Sequence, residues 1–315
     1  MENFDAKKFA VTLKWKISVG TVLACALCVA LIMSSVLSDD IGLGRDILAL
    51  VLYSAARWAI VMHANKKLLA LLVDDIAPER MLAVLQEGKI YSRSGVLELQ
   101  ARLAMGHWQQ VADICAQMLN DPKMQKKKHL YMAFLADMYF YLADDVQLRA
   151  VVDAFDAYAA VSKSDAILKK MEEPMAYYRN YVNGDYESCM ARRANMQNPS
   201  NKATTPRYTT IIRCFEHALV CYRAGCIDEA RICFEQVVEQ APHVAAATVA
   251  QEYLRVLREG GEPCFERIVP SGKNGLPPMP RAHRVLQKIK TIWVIVAIAV
   301  WTVAIFLLLI AEILS

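Results

Sequence analysis

The chain of 315 residues is 56% hydrophobic, with a formal net charge of +4 and a positive mean hydropathy; that balance excludes a wholly soluble protein and places part of the chain in lipid. So small a net charge gives no strongly basic face of the kind nucleic-acid binding needs. Glycine and proline are scarce through the middle and alternating β-branched stretches are absent, so the soluble part reads as all-α.

In chain order, residues 17–37 come first, an apolar run without a charge and as a helix about as long as the hydrocarbon core of a bilayer is thick. The run is too long for the apolar part of a signal peptide. A shorter run follows at 47–62 and contains Arg57, close enough to its end for the guanidinium to reach the interface beside Trp58. Lys7, Lys8, Lys14 and Lys16 precede the first run, Asp39, Asp40 and Asp46 stand between the two, and Lys66 and Lys67 follow the second. Residues 1–67 therefore read as a transmembrane hairpin with both ends in the cytoplasm, the alternative for the second run being an interfacial or soluble amphipathic helix.

Residues 68–260 read as a domain of helical hairpins. In the clearest of them Ile211, Ile212, Phe215, Ala218, Leu219 and Tyr222 form one stripe and Ile227, Ala230, Phe234, Val237, Val238 and Ala241 a second, both at helical period. Ala224 and Gly225 break the two apart and Pro242 ends the second. Weaker relatives begin at Gly184-Asp185-Tyr186 and Gly106-His107-Trp108, and a glycine-free one is split around Ala143-Asp144-Asp145. Repetition at a spacing of roughly 40 residues predicts stacked helix pairs.

At Gly225, Ile227, Ala230, Phe234, Val237, Val238 and Pro242, and in part at Gly184, Tyr186, Gly106 and Trp108, the sequence resembles the tetratricopeptide-repeat family. The resemblance covers roughly residues 90–260, with a spacing longer than the family's usual ~34 residues and without most of its first-helix signature. It implies a curved, right-handed α-solenoid whose concave face, lined by the first helix of each pair, binds peptide or protein segments. Those helices carry Tyr139, Phe140 and Tyr141, then Tyr177, Tyr178 and Tyr181, then Tyr222 with Arg223. Most are read as core, and Tyr178, Tyr181, Tyr222 and Arg223 as the candidates for a protein-binding groove, because tyrosine and arginine combine large contact area with a polar handle.

Cys214, His217 and Cys221 share one helix face, with Cys226 and Cys233 in the same hairpin, and these are residue types that bind zinc. They fall on the buried positions of the hairpin, where small cysteines commonly pack, so no metal and no other cofactor is expected. The nine cysteines lack the spacing of a disulfide framework, which fits a reducing compartment. No glycine-rich phosphate loop, G-x-S-x-G or H-E-x-x-H occurs, so no enzyme is expected.

Residues 261–282, with Gly261, Pro263, Pro270, Pro277, Pro278 and Pro280, read as a linker. Arg281, Arg284, Lys288 and Lys290 then lead to an apolar run at 291–314, a third span within a carboxyl-terminal anchor at 283–315. The expectation is an all-α, tetratricopeptide-like helical-hairpin solenoid flanked by transmembrane helices, a noncatalytic scaffold that recruits a protein partner at the cytoplasmic face of a membrane. Its partners are a protein or peptide and the lipid bilayer, with no nucleic acid and no small-molecule substrate. Two other readings stay open: an extracytoplasmic anchored solenoid assisting surface assembly or sensing, and an accessory subunit of a membrane enzyme or transporter.

Overall fold

A computed structural model describes residues 4–37, 43–88, 95–162, 166–196 and 206–276. The regular structure of these residues is entirely helical, and they divide into two compact units.

One unit contains Lys8–Lys66, on α1 (Ala6–Leu37) and α2 (Leu43–Val73). The stretch Ala6–Leu31 is, among the described residues, the one helix long and apolar enough to cross a membrane. Its side chains point the wrong way for water, with Val22, Leu23 and Leu27 66, 61 and 64% exposed, an apolar surface that lipid covers at no cost. Gly20 faces Ile60, and Cys28 Sγ donates to the Ala49 carbonyl at 3.5 Å; small residues at such points let helices approach. The run at 47–62 lies inside α2. The third span at 291–314, and residues 277–282 of the linker, lie outside the described residues.

The other unit comprises Met1–Lys7 and Lys67–Leu276. It holds α3 (Pro78–Glu87), α4 (Val96–Ala104), α5 (Trp108–Asn120), a 3-10 turn (Pro122–Lys127), α6 (Lys128–Tyr141), α7 (Asp145–Val161), α8 (Ala166–Val182), α9 (Tyr186–Met196), α10 (Arg207–Arg223), α11 (Ile227–Gln240) and α12 (Ala245–Glu259). From α3 onward each α-helix packs against the next in sequence.

Four of the turns between them are built alike. Gly106, Ala143, Gly184 and Gly225 take φ values of 74, 52, 77 and 80° and stand 37, 41 and 41 residues apart. After each, the next N–H reaches back five residues, from His107 to Arg102 at 3.0 Å, Asp144 to Tyr139 at 3.0 Å, Asp185 to Asn180 at 2.9 Å and Cys226 to Cys221 at 2.8 Å. This closure satisfies carbonyls that the helix end leaves bare. Asp144 and Asp185 then cap the following helix, accepting from the backbone N–H of Gln147 and Ser188. Ala143 does the same work without glycine, at a left-handed backbone cost of about 1–2 kcal/mol.

The first helices of the pairs face inward. Contacts join α4 to α6, α6 to α8 and α10 to α12, and α12 returns to α4. At that closure Ala245 Cβ lies 3.3 Å from where a side chain on Gly106 would begin, and His243 Nε2 donates to the Ile76 carbonyl at 2.6 Å. Across the middle, Tyr141 of α6 meets Phe215 of α10 edge-on, with ring centroids 5.0 Å apart. At this level the inner face is packed, unlike the open concave groove that the resemblance implies. Large aromatic side chains on successive inner helices are the reason, since burying each contributes about 1.5–3 kcal/mol.

Residues 262–276, within the stretch read as a linker, are bound along this unit. Phe265 packs on Tyr253 with ring centroids 6.0 Å apart, Ile268 is buried, and the Val269 carbonyl accepts from Gln109 at 2.8 Å. The strap ends on Asp113, a fully buried residue of α5. Its carboxylate accepts from the backbone N–H of Ser271, Gly272 and Asn274 at 2.5, 3.0 and 3.2 Å and from the Ser271 hydroxyl and Asn274 amide at 2.9 and 3.0 Å. Gln109 Nε2 adds a sixth donor at 3.2 Å. Leu276 then seats against Gly95, where a Cβ would stand 2.5 Å from Leu276 Cδ1, and its N–H donates to Gln117 at 2.7 Å.

Candidate functional site

Three inner helices, α6, α8 and α10, bring two carboxylates into a set of tyrosines. Asp137 and Tyr141 are four residues apart on α6, Tyr177 and Tyr178 are neighbours on α8, and Tyr208 and Glu216 stand two turns apart on α10; helical spacing puts each pair on or beside one face. The Tyr178 hydroxyl donates to Asp137 Oδ1 at 2.5 Å, and Tyr177 donates to the Glu216 carbonyl at 3.4 Å. The rings of Tyr177 and Tyr178 meet edge-on at 5.7 Å, and both lean on Phe140. Asp137, Tyr177, Tyr208 and Glu216 are half-buried, whereas Tyr141 and Tyr178 are buried.

The electrostatics are one-sided. Burial pushes the Asp137 carboxyl up to about 6, and the Tyr178 hydrogen bond offsets only part of that rise. Burial, then Asp137 and Glu216, raise Tyr208 above the usual phenol range; burial and the same two carboxylates also raise Tyr141 and Tyr178. Among the described residues, no basic side chain acts on Asp137 or Tyr208. Carboxylates among phenol hydroxyls form a place where a further anion is costly and a cation with several donors is favoured.

The groove residues expected from sequence mostly hold the inner helices together. Tyr178 and Tyr181 are 4 and 2% exposed. Tyr181 packs edge-on against Phe140 at 4.7 Å, and its hydroxyl accepts from Arg223 Nε at 3.2 Å. Arg223 also donates to Asp145 at 2.9 Å, pairing the end of α10 with the start of α7. Tyr222 is half-buried on Tyr253, with ring centroids 4.9 Å apart. Of these four residues, Tyr178 reaches the acidic cluster.

Asp137, Tyr208 and Glu216 were missed by that reasoning, although a signal for them exists. Asp137 is the single charge in the aromatic and aliphatic run 130–142, and Glu216 directly follows the buried Phe215. A carboxylate on a stripe that packing would make apolar asks for an explanation. The cysteines divide: Cys214 Sγ turns to the Cys233 carbonyl and Gln236 at 3.6 and 3.4 Å, and Cys226 is exposed at the start of α11.

No protein-family model, curated protein or solved structure matches the chain. Its own residues therefore carry the reading of its function.

Proposed function

We propose that the chain is a membrane-tethered, tetratricopeptide-like scaffold, noncatalytic, that holds a protein partner at the cytoplasmic face by receiving a lysine or arginine of that partner between α6, α8 and α10. The observation that carries this is the gathering of Asp137 and Glu216 with Tyr141, Tyr177, Tyr178 and Tyr208 while, among the described residues, no basic side chain acts on Asp137 or Tyr208. The four like turns at 106, 143, 184 and 225 support the repeat reading. Support for the tether comes from the outward apolar side chains of α1 and from the apolar runs at 47–62 and 291–314. Lysines before α1 and after the second run, with aspartates between, favour the cytoplasmic side.

The test uses the full chain in lipid nanodiscs against a library of short random peptides. Peptides carrying lysine or arginine are expected to be enriched, and the double change Asp137→Asn with Glu216→Gln to weaken them at least tenfold, about 1.4 kcal/mol. Enrichment of acidic peptides, or affinity that ignores both changes, rejects the reading. Sidedness is checked separately with a membrane-impermeant thiol reagent on intact cells. The exposed Cys226 is expected to stay unlabelled until the membrane is permeabilised, with a Cys226→Ser chain as background; labelling of intact cells puts the domain on the other side.

A further inference from the structure

The turn between α10 and α11 brings three unlike donor atoms to one point. His217 and Cys221 lie four residues apart on one face of α10. Glu229 lies in the first turn of α11, and the tight closure at Gly225 folds it back over them. His217 Nε2 stands 2.7 Å from Glu229 Oε1 and 3.4 Å from Cys221 Sγ, and all three donor atoms lie within 4.8 Å of one another.

Both contacts run through one ring nitrogen, whose role as donor or acceptor depends on its tautomer, and the Cys221 thiol can itself donate weakly. A cation at the shared point takes a lone pair from all three. Zinc takes sulfur, nitrogen and oxygen ligands at about 2.3, 2.0–2.1 and 2.0–2.2 Å, so in a tetrahedral site these donors sit about 3.4–3.6 Å apart. The separation of His217 and Cys221 already fits. Glu229 has to shift by about 1 Å, within reach of a flexible carboxylate whose side chain is 58% exposed.

We propose that His217 Nε2, Cys221 Sγ and a Glu229 carboxylate oxygen form a zinc site of the three-ligand, open kind, with water in the fourth position. Mixed thiolate, imidazole and carboxylate donors favour zinc over magnesium or calcium, which take oxygen. Binding releases the Cys221 thiol proton and pins α11 to α10 next to the Gly225 turn. The sequence reading treats His217 and Cys221 as packing positions and pairs them with Cys214; the structure turns Cys214 away and supplies Glu229 instead. The site is separate from the acidic cluster and does not depend on the partner-binding reading.

Cobalt in place of zinc makes the site visible. The full chain, purified in detergent and stripped with a chelator, is titrated with Co²⁺ and then with Zn²⁺. One equivalent of cobalt is expected to give a thiolate-to-cobalt charge-transfer band and the strong visible absorption of tetrahedral cobalt, displaced by one equivalent of zinc. Cys221→Ser is expected to abolish the charge-transfer band. Since Cys221 is buried and that variant can misfold, Glu229→Ala on the exposed side is the second test: helicity unchanged, zinc affinity reduced at least tenfold. Absence of stoichiometric cobalt binding in the unaltered chain, or binding that survives both variants, overturns the proposal; Cys226→Ser is expected to bind as the unaltered chain does, and loss of the band in it alone assigns the thiolate to Cys226 and equally overturns it.

Discussion

Asp113 and Asp137 stand on α5 and α6 of one unit, and their surroundings drive the two carboxylates in opposite directions. Burial acts on both, Asp113 being fully buried and Asp137 half-buried. Asp113 meets six donors, five of them from the loop at 271–274. Burial works to raise it, yet the Ser271, Gly272 and Asn274 hydrogen bonds win and hold it at about 2. Asp137 has one donor among the described residues, the Tyr178 hydroxyl, and burial lifts it to about 6. Burial alone therefore does not distinguish a structural carboxylate from one left ready for a ligand; the number of donors does. The first is finished within the chain, and the second is the one at which the proposed partner residue would enter.

The largest expected effect tests the finished side of the contrast. In Asp113→Asn one oxygen becomes an NH2 that turns its own hydrogens toward the donors of the strap, so buried donors lose their acceptor. A loss of about 3 kcal/mol is expected, with the strap released. Limited trypsin digestion of the full chain in nanodiscs reads this at Arg267 and Lys273, where cleavage is expected to quicken at least tenfold. Unchanged cleavage would show that Phe265, Ile268 and Leu276 hold the strap without the carboxylate. For pH the sign is that of a depressed carboxyl: its stabilisation is present above about 4 and is lost as pH falls toward 2.

Much of the fold was legible because it is local. The stripes of α10 and α11, the glycines at 106, 184 and 225, and the glycine-free turn at Ala143 all announce themselves within a few residues, and a left-handed turn closed by a five-residue hydrogen bond is a local object. The strap was not legible. Ser271-Gly272-Lys273-Asn274 reads as an ordinary polar turn, and nothing near Asp113 tells that its donors arrive from 158 residues away. The closure of the row failed to show for the same reason, since His243 and Ile76 are 167 residues apart. Of the inner cluster, sequence supplied Tyr141, Tyr177 and Tyr178 but assigned no role to Asp137, Tyr208 and Glu216, because a count of charges does not say which of them the helices bring together.

A smaller effect, of opposite sign, tests the unfinished side. Asp137→Asn keeps an acceptor for the Tyr178 hydroxyl and removes a charge held without a cation, so the unliganded chain is expected to gain about 1–2 kcal/mol at pH 7.5, after allowance for partial exposure. The folded-state carboxyl lies above its unfolded value of 3.8. Its neutral form is therefore preferred on folding, and the unaltered chain gains stability as pH falls through about 6 toward 4. Thermal melts of both chains at pH 7.5 and 4.5 should show the difference shrinking at the lower pH. If Asp137→Asn destabilises the chain at pH 7.5, the carboxylate is already compensated, and the cationic occupant proposed for it loses its rationale.

The smallest effect asks whether Asp113 depends on one donor or on the sum. Ser271→Ala removes the hydroxyl that reaches Asp113 Oδ2 at 2.9 Å and leaves the Ser271 N–H, which needs no side chain, in place at 2.5 Å. Three further backbone and amide donors from Gly272 and Asn274, and Gln109 across α5, also remain. A carboxylate with five donors stays ionised and bound, so the loss is expected to be at most about 1 kcal/mol. Trypsin digestion should stay close to that of the unaltered chain. Were Ser271→Ala to free the strap as fully as Asp113→Asn, the hydroxyl would be the latch. A covalent change at that one oxygen would then be enough to open it.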